Sequence, residues 1–126
     1  MDQKKEQKAW REVRYHKKFM NAFRGIYIVW KTTSHFYLHL IATLCVIILG
    51  TVYRVSATEW MFLIFAIGFV LVSETFNTAI EIDIDLSSPE YHPYARDTKD
   101  VAAAAVLLSA FTAAVIGVII FLPKIF

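Results

Sequence analysis

Cysteine is nearly absent from this chain of 126 residues, which has only Cys45. A lone thiol excludes an intrachain disulfide, and no cysteine and histidine stand at zinc-site spacing. Cys45 lies in an apolar run, where it serves as a small core or lipid-facing residue. Glycine is scarce too. Gly25, Gly50, Gly68 and Gly117 are the full set, and none builds a P-loop or a G-x-G-x-x-G turn. The protein-kinase signatures are also missing. A nucleotide, if one binds, must therefore be held by charges and metal carried on helices. Charged residues make up 19% of the chain and hydrophobic ones 57%. A soluble domain has about 25% and about 45–50%. That imbalance excludes disorder, a collagen-like fibre and a basic nucleic-acid-binding domain, so nucleic acid is not an expected partner. The net charge of +2 is too mild to name one.

What is present is a basic head followed by long apolar runs. Residues 1–31 hold nine of the thirteen lysines and arginines, and the other four are Arg54, Arg96, Lys99 and Lys124. A helix that crosses a bilayer needs about 20 mostly apolar residues, because it rises 1.5 Å per residue through a hydrocarbon core about 30 Å thick. Three runs qualify, and the expected spans are 35–54, 59–85 and 100–122 of a single domain over 1–126. The first has one polar oddity, His39. The fold class expected is therefore all-α and membrane-embedded, with three transmembrane helices. Lys and Arg concentrate on the cytoplasmic side of short loops. The head and the loop at 86–100 then lie in the cytoplasm, and Phe126 ends on the far face.

The head, 1–34, reads as an amphipathic helix on the membrane surface. Trp10, Val13, Phe19, Phe23, Ile26 and Trp30 recur at mostly helical spacing among basic residues, a pattern suited to an anionic lipid interface. Gly25 and the polar cluster Lys31-Thr32-Thr33-Ser34 mark a break before the first span. In the third run Ala105, Ser109, Ala113 and Gly117 fall on every fourth residue, with Ala110 and Ala114 as a second pair. Such rows let helices approach closely in lipid, within one chain or between copies.

The chemistry is expected where the second run turns polar, SETFNTAIEIDID. At 100° per residue, Asn77, Thr78, Glu81 and Asp85 all fall within about 60° of Glu74. Asp83 falls on the opposite face and is solvated. Acids near hydrocarbon are costly, about 2.5–3.5 kcal/mol each at the bilayer centre, and mark a functional site by default. Glu74, the deeper of the acids, suits a general base. Glu81, nearer the water, suits Mg²⁺, and Asn77 can orient either group or a phosphate oxygen. Lys99 can meet a phosphate as a point charge, and Asp100 can cap the third helix. The competing readings of such acids are a helix–helix hydrogen-bond cluster and an ion or proton passage, and the off-centre position of Glu81 and Asp85 argues against the passage.

These residues resemble a known family, the small bacterial integral-membrane lipid kinases that act on diacylglycerol or undecaprenol. The likeness is carried by Glu74-Thr75-Phe76-Asn77-Thr78-Ala79-Ile80-Glu81, then Asp85, Glu90-Tyr91-His92, Lys99-Asp100 and the alanine-rich run to Val106, with Phe19 to Gly25 in the head. The resemblance implies a homotrimer, with three transmembrane helices and a surface helix in each chain. It implies MgATP-dependent phosphorylation of a lipid alcohol, with the site between neighbouring chains. It gives Glu74 the part of catalytic base and Glu81 that of metal ligand. It places Arg14, Asn21, Glu90, Tyr91, His92, Lys99 and Asp100 against the nucleotide. Two departures stand out. Thr33 occupies the place of a metal-binding glutamate, and a hydroxyl is a weaker Mg²⁺ ligand than a carboxylate. Ala104 stands where the family often has glycine. The first departure opens an alternative, a weakened or inactive member retained for membrane binding or assembly.

Overall fold

The computed structural model describes residues 3–4 and 15–126. Trp10, Val13 and Arg14, singled out above, lie outside the described residues. Among the described residues there are four long helices: α1 (Tyr15–Thr32), α2 (Phe36–Val52), α3 (Ala57–Ser87) and α4 (Pro93–Ile125). The chain divides into two compact units between Thr32 and Thr33, with α1 in the first and α2, α3 and α4 in the second.

Helix α1 has an apolar stripe made of Phe19, Met20, Phe23, Ile26, Tyr27 and Trp30, all of them exposed. At 100° per residue these six span about 120°, with Lys17, Arg24 and Lys31 outside the stripe. An exposed stripe of this width is unfavourable in water and suits a lipid interface. The helix runs through Gly25 and ends at Thr32, whose Oγ1 donates to the Ile28 carbonyl oxygen at 2.6 Å. The expected break therefore falls at the threonine cluster and not at Gly25.

The second unit is a three-helix bundle. Helix α3 packs most extensively on α4, and α2 packs on α3. Helices α3 and α4 are each long and apolar enough to cross a membrane. Helix α2, at 17 residues, is at the short end of the spanning range. The 31 residues of α3 and 33 of α4 extend well past a 30 Å hydrocarbon core at 1.5 Å per residue. Their ends therefore reach the watery boundary, where polar chemistry is affordable.

Sequence and geometry agree closely at the turn between α2 and α3. Arg54 adopts a left-handed backbone (φ 50°). Its N–H donates to the Thr51 carbonyl at 3.3 Å, and the Val55 N–H donates to the Gly50 carbonyl at 3.1 Å. That pair is the Schellman helix ending. Val55 then drops into the core with Leu63, Ile120 and Phe121, flanked by Val46, Tyr53, Trp60 and Ile116. Gly50 is needed because a Cβ there would stand 2.5 Å from the Trp60 ring. Helix α3 starts in a capping box: the Glu59 N–H donates to Ser56 Oγ, and the Ser56 N–H donates to Glu59 Oε2, both at 3.2 Å. Lys124 near the end of α4 pairs with the same Glu59 carboxylate at 3.2 Å. This end of the bundle is thus closed by core, cap and ion pair.

Along α3 the buried stripe is Leu63, Ala66, Val70, Glu74, Asn77 and Thr78. The spacing of three and four residues makes it one continuous face. The face is apolar toward the hairpin and polar toward the loop between α3 and α4. On α4 the row of small residues is buried only in part. Ser109 is fully buried, Ala113 and Gly117 are half-buried, and Ala105 is exposed. Helix α4 also begins earlier than expected. Pro93 takes the first helical position and His92 is the cap, its Nδ1 accepting from the Tyr94 N–H at 3.2 Å. Asp100 therefore does not cap the helix, as the sequence led one to expect; it lies about two turns inside it.

Candidate functional site

The row of acids on α3 divides by depth. Glu74 is buried at 7% exposure and Asn77 at 9%, while Glu81 and Asp85 are exposed. Asp83, expected on the opposite face, is exposed too. Glu74 does not face hydrocarbon. Its Oε2 lies 3.3 Å from His39 Nε2 of α2, so the polar oddity of the first apolar run meets the deepest acid of the second. Asn77 Nδ2 donates to Glu81 Oε1 at 3.4 Å, one turn further along the same face. That donation leaves Asn77 Oδ1 buried and without a partner. An amide oxygen left unmatched in a buried place is uncommon and points to a missing ligand, water or neighbour.

Thr33 comes to the same face from the start of the bundle. Its Oγ1 lies 2.7 Å from Thr78 Oγ1, and the Thr78 hydroxyl is also within bonding range of the Glu74 carbonyl at 3.0 Å. Thr33, 45 residues away in sequence, thus joins the polar stripe midway between Glu74 and Glu81. Among the described residues no three His, Cys, Asp or Glu side chains form a metal cage.

Beyond Glu81 the stripe opens into a cleft of about 240 Å³ at the α3–α4 loop, lined by Asp85, Glu90, Tyr91, His92, Arg96 and Lys99 among others. Four of the loop and α4 residues expected to meet a nucleotide are therefore gathered in one place. Lys99 is hydrogen-bonded to Asp85 Oδ1. That bond comes first among the influences raising the Lys99 pKa. Desolvation opposes it, and the negative charges of Asp85 and Glu81 add to the rise. Lys99 therefore stays cationic through neutral pH. Asp100 is exposed and is not part of this lining. Asn21 is an exposed residue of α1.

Arg96 was missed by sequence reasoning. Its guanidinium donates to the Tyr91 hydroxyl and to Asp97 Oδ1, each at 3.3 Å. The signal was available: Arg96 stands three residues before Lys99, so a helix carries both on one side.

A second cavity, of about 100 Å³, lies among α2, α3 and α4. His39 and Thr43 are its polar margin, and Ala42, Val70, Ala113 and Gly117 are among its apolar walls.

Comparison with known proteins gives first the class, then the family. The chain is 40% identical over 112 residues to undecaprenol kinase of Bacillus subtilis (strain 168), covering 89% of this chain and 91% of that protein. It is 32% identical over 108 residues to diacylglycerol kinase of Synechocystis sp., covering 85% of this chain and 62% of that protein. It is 28% identical over 94 residues to diacylglycerol kinase of Escherichia coli (strain K12), covering 75% and 77%. All three are lipid kinases by name, and an enzyme of that class fits a membrane-capable bundle with acids at one end. The family model of prokaryotic diacylglycerol kinase matches residues 20–121. The chain belongs to that family.

Proposed function

We propose that this chain transfers the γ-phosphoryl group of ATP, with Mg²⁺, to the hydroxyl of a membrane lipid alcohol at the cytoplasmic face of a bacterial inner membrane. The observation that carries the reading is the graded stripe on α3. A buried carboxylate, Glu74, lies about two turns from an exposed one, Glu81, and the stripe leads into a cleft that holds Lys99 and Arg96. Such a gradient supports a base within reach of a lipid hydroxyl and positive charge within reach of a triphosphate.

In this mechanism Glu74 takes the proton of the acceptor hydroxyl. The acceptor oxygen bonds to the γ-phosphorus, and the bond from that phosphorus to the ADP oxygen breaks. Lys99 and Arg96 offset phosphate charge, and positioning does most of the rest, as in phosphoryl transfer generally. The donor atoms suit Mg²⁺, which takes oxygen ligands and binds through one or two carboxylates plus substrate phosphates. Glu81 is a reachable carboxylate, and Asn77 Oδ1 is an oxygen in search of a partner. Glu81, with Thr33 as a weaker neighbour, would hold the ion, which supplies charge neutralisation on the phosphates. Asn21, Arg14 and Asp100 are assigned to the nucleotide on the family resemblance.

The charge distribution supports a cytoplasmic N-terminus, since nine of thirteen lysines and arginines precede residue 32. The exposed apolar faces of the bundle, Phe65, Phe69, Leu107 and Phe111 among them, leave room for both lipid and neighbouring copies in a homotrimer. Among acceptors, the 40% identity to undecaprenol kinase across most of both chains favours undecaprenol over diacylglycerol.

A second reading rests on Thr33. A hydroxyl bonded to Thr78 stands where a second carboxylate is expected. This reading makes the chain a weakened kinase kept as a membrane assembly protein. The deciding test supplies purified protein in lipid vesicles with labelled ATP, Mg²⁺ and either alcohol. Labelled lipid phosphate is the expected product. No product from either alcohol, from a protein that is still trimeric, would favour the second reading.

A further inference from the structure

We propose that His39 is the positioning residue for Glu74: its imidazole holds one carboxylate oxygen and so presents the other to the acceptor hydroxyl. The proposal rests on the reading of Glu74 as the base and adds a residue that this reading does not use.

Three observations carry it. The His39–Glu74 contact, 3.3 Å from Nε2 to Oε2, crosses from α2 to α3. It therefore ties the rotamer of the deepest acid to a second backbone. Glu74 is 7% exposed, and a carboxylate in so dry a place requires a polar partner. His39 is the side chain that meets it among the described residues. Among the described residues the contact to the Glu74 carboxylate runs to Oε2, and the side chain keeps 9% exposure. One oxygen is thus engaged, and Oε1 is the one left to meet the acceptor.

The surroundings of the ring strengthen the argument. His39 also borders the cavity of about 100 Å³ whose other walls include Ala42, Val70, Ala113 and Gly117. The imidazole therefore stands between an apolar hollow and the carboxylate. Without it, Glu74 would have an apolar hollow on that side and, among the described residues, no cross-helix contact to fix its rotamer. A histidine that only satisfies the buried carboxylate makes the same contact, so kinetics separate that role from the positioning of a base.

The test uses the full chain in lipid vesicles with MgATP and undecaprenol or diacylglycerol. It compares wild type, His39→Leu and His39→Gln, each also combined with Glu74→Gln. His39→Leu should lower kcat by about 10-fold or more and leave KM for ATP within about 2-fold, the pattern of a lost transition-state interaction. His39→Gln, which keeps a polar N–H near the carboxylate, should recover most of that loss. In the Glu74→Gln background His39→Leu should cost nothing further, because a positioning residue has no effect once its target is gone. Multiplying losses would overturn the proposal, as would His39→Leu activity within about 3-fold of wild type or a change confined to KM. The imidazole ¹⁵N resonances of His39 supply a readout that does not depend on turnover. They should shift on Glu74→Gln, and an unchanged spectrum would refute the pairing. Full activity in Glu74→Gln would instead remove the underlying assignment of the base, which separates the two failures.

Discussion

Replacing Thr33 with glutamate is the perturbation that most sharply separates a working metal site from a degraded one. Thr33 Oγ1 lies 2.7 Å from Thr78 Oγ1, and Thr78 stands three residues before Glu81 on the same helix. Side chains at that spacing have Cβ atoms about 5–6 Å apart. A carboxylate introduced at Thr33 therefore stands roughly 6 Å from that of Glu81. At an effective dielectric of about 20 two such charges repel by about 3 kcal/mol, and by less than 1 kcal/mol in bulk water. Glu81 is exposed, so a value of about 1–3 kcal/mol is reasonable. A divalent cation between the two carboxylates turns that repulsion into attraction. The same range corresponds to roughly 5- to 150-fold tighter Mg²⁺ binding. The structural cost is about 1 kcal/mol for the lost Thr33–Thr78 hydrogen bond, and the Thr78 hydroxyl, which donates to the Glu74 carbonyl, must turn from that oxygen to donate to the new carboxylate. The assay is lipid phosphorylation against free Mg²⁺ at saturating ATP. The half-saturating Mg²⁺ concentration should fall by about 5-fold or more, with kcat equal to or above wild type. An unchanged Mg²⁺ requirement together with lower activity would refute the reasoning and show the site rebuilt around the threonine pair.

Other perturbations test other parts of the account. Gly50→Ala would force a methyl to within 2.5 Å of the Trp60 ring and should destabilise the bundle by about 1–3 kcal/mol, seen as a lower Tm in detergent. Arg54→Gly should do the reverse, raising stability by about 0.5–1 kcal/mol, because φ 50° at Arg54 is strained for any residue with a Cβ. Lys99→Ala should raise KM for ATP by about 10-fold or more through loss of a phosphate contact, with Tm nearly unchanged because its pair with Asp85 is largely exposed.

The parts of this protein that could be read from its sequence are those set by local pattern. The three apolar runs became α2, α3 and α4, because a helix is the only economical way to satisfy backbone polar groups in such surroundings. The shared face of Glu74, Asn77, Thr78, Glu81 and Asp85 follows from helical geometry alone, and burial of the first three completed the apolar stripe that begins at Leu63. What escaped was local chemistry in a polar context and contact across helices. The segment PYARDTKD has no apolar period, so the start of α4 at Pro93 is not legible in it, and of the two roles open to Asp100, cap or nucleotide contact, the first belongs to His92. The meeting of Thr33 with Thr78 and of His39 with Glu74 depends on how helices pack, which spacing within a single helix cannot reveal. Arg96 was overlooked beside Lys99 for a simpler reason. Its value lies in the cleft it lines, and that cleft exists only once α3 and α4 are folded against each other.

The central claim is that the buried carboxylate of Glu74 accepts the proton of a lipid alcohol during phosphoryl transfer. Its most direct test is the single-turnover rate of Glu74→Gln in lipid vesicles, measured beside nucleotide binding in the same preparation. The account predicts a fall in rate of about 10²–10⁴-fold, the usual worth of a general base, with ATP affinity unchanged. A Glu74→Gln protein that phosphorylates undecaprenol or diacylglycerol within a few-fold of wild type would contradict it.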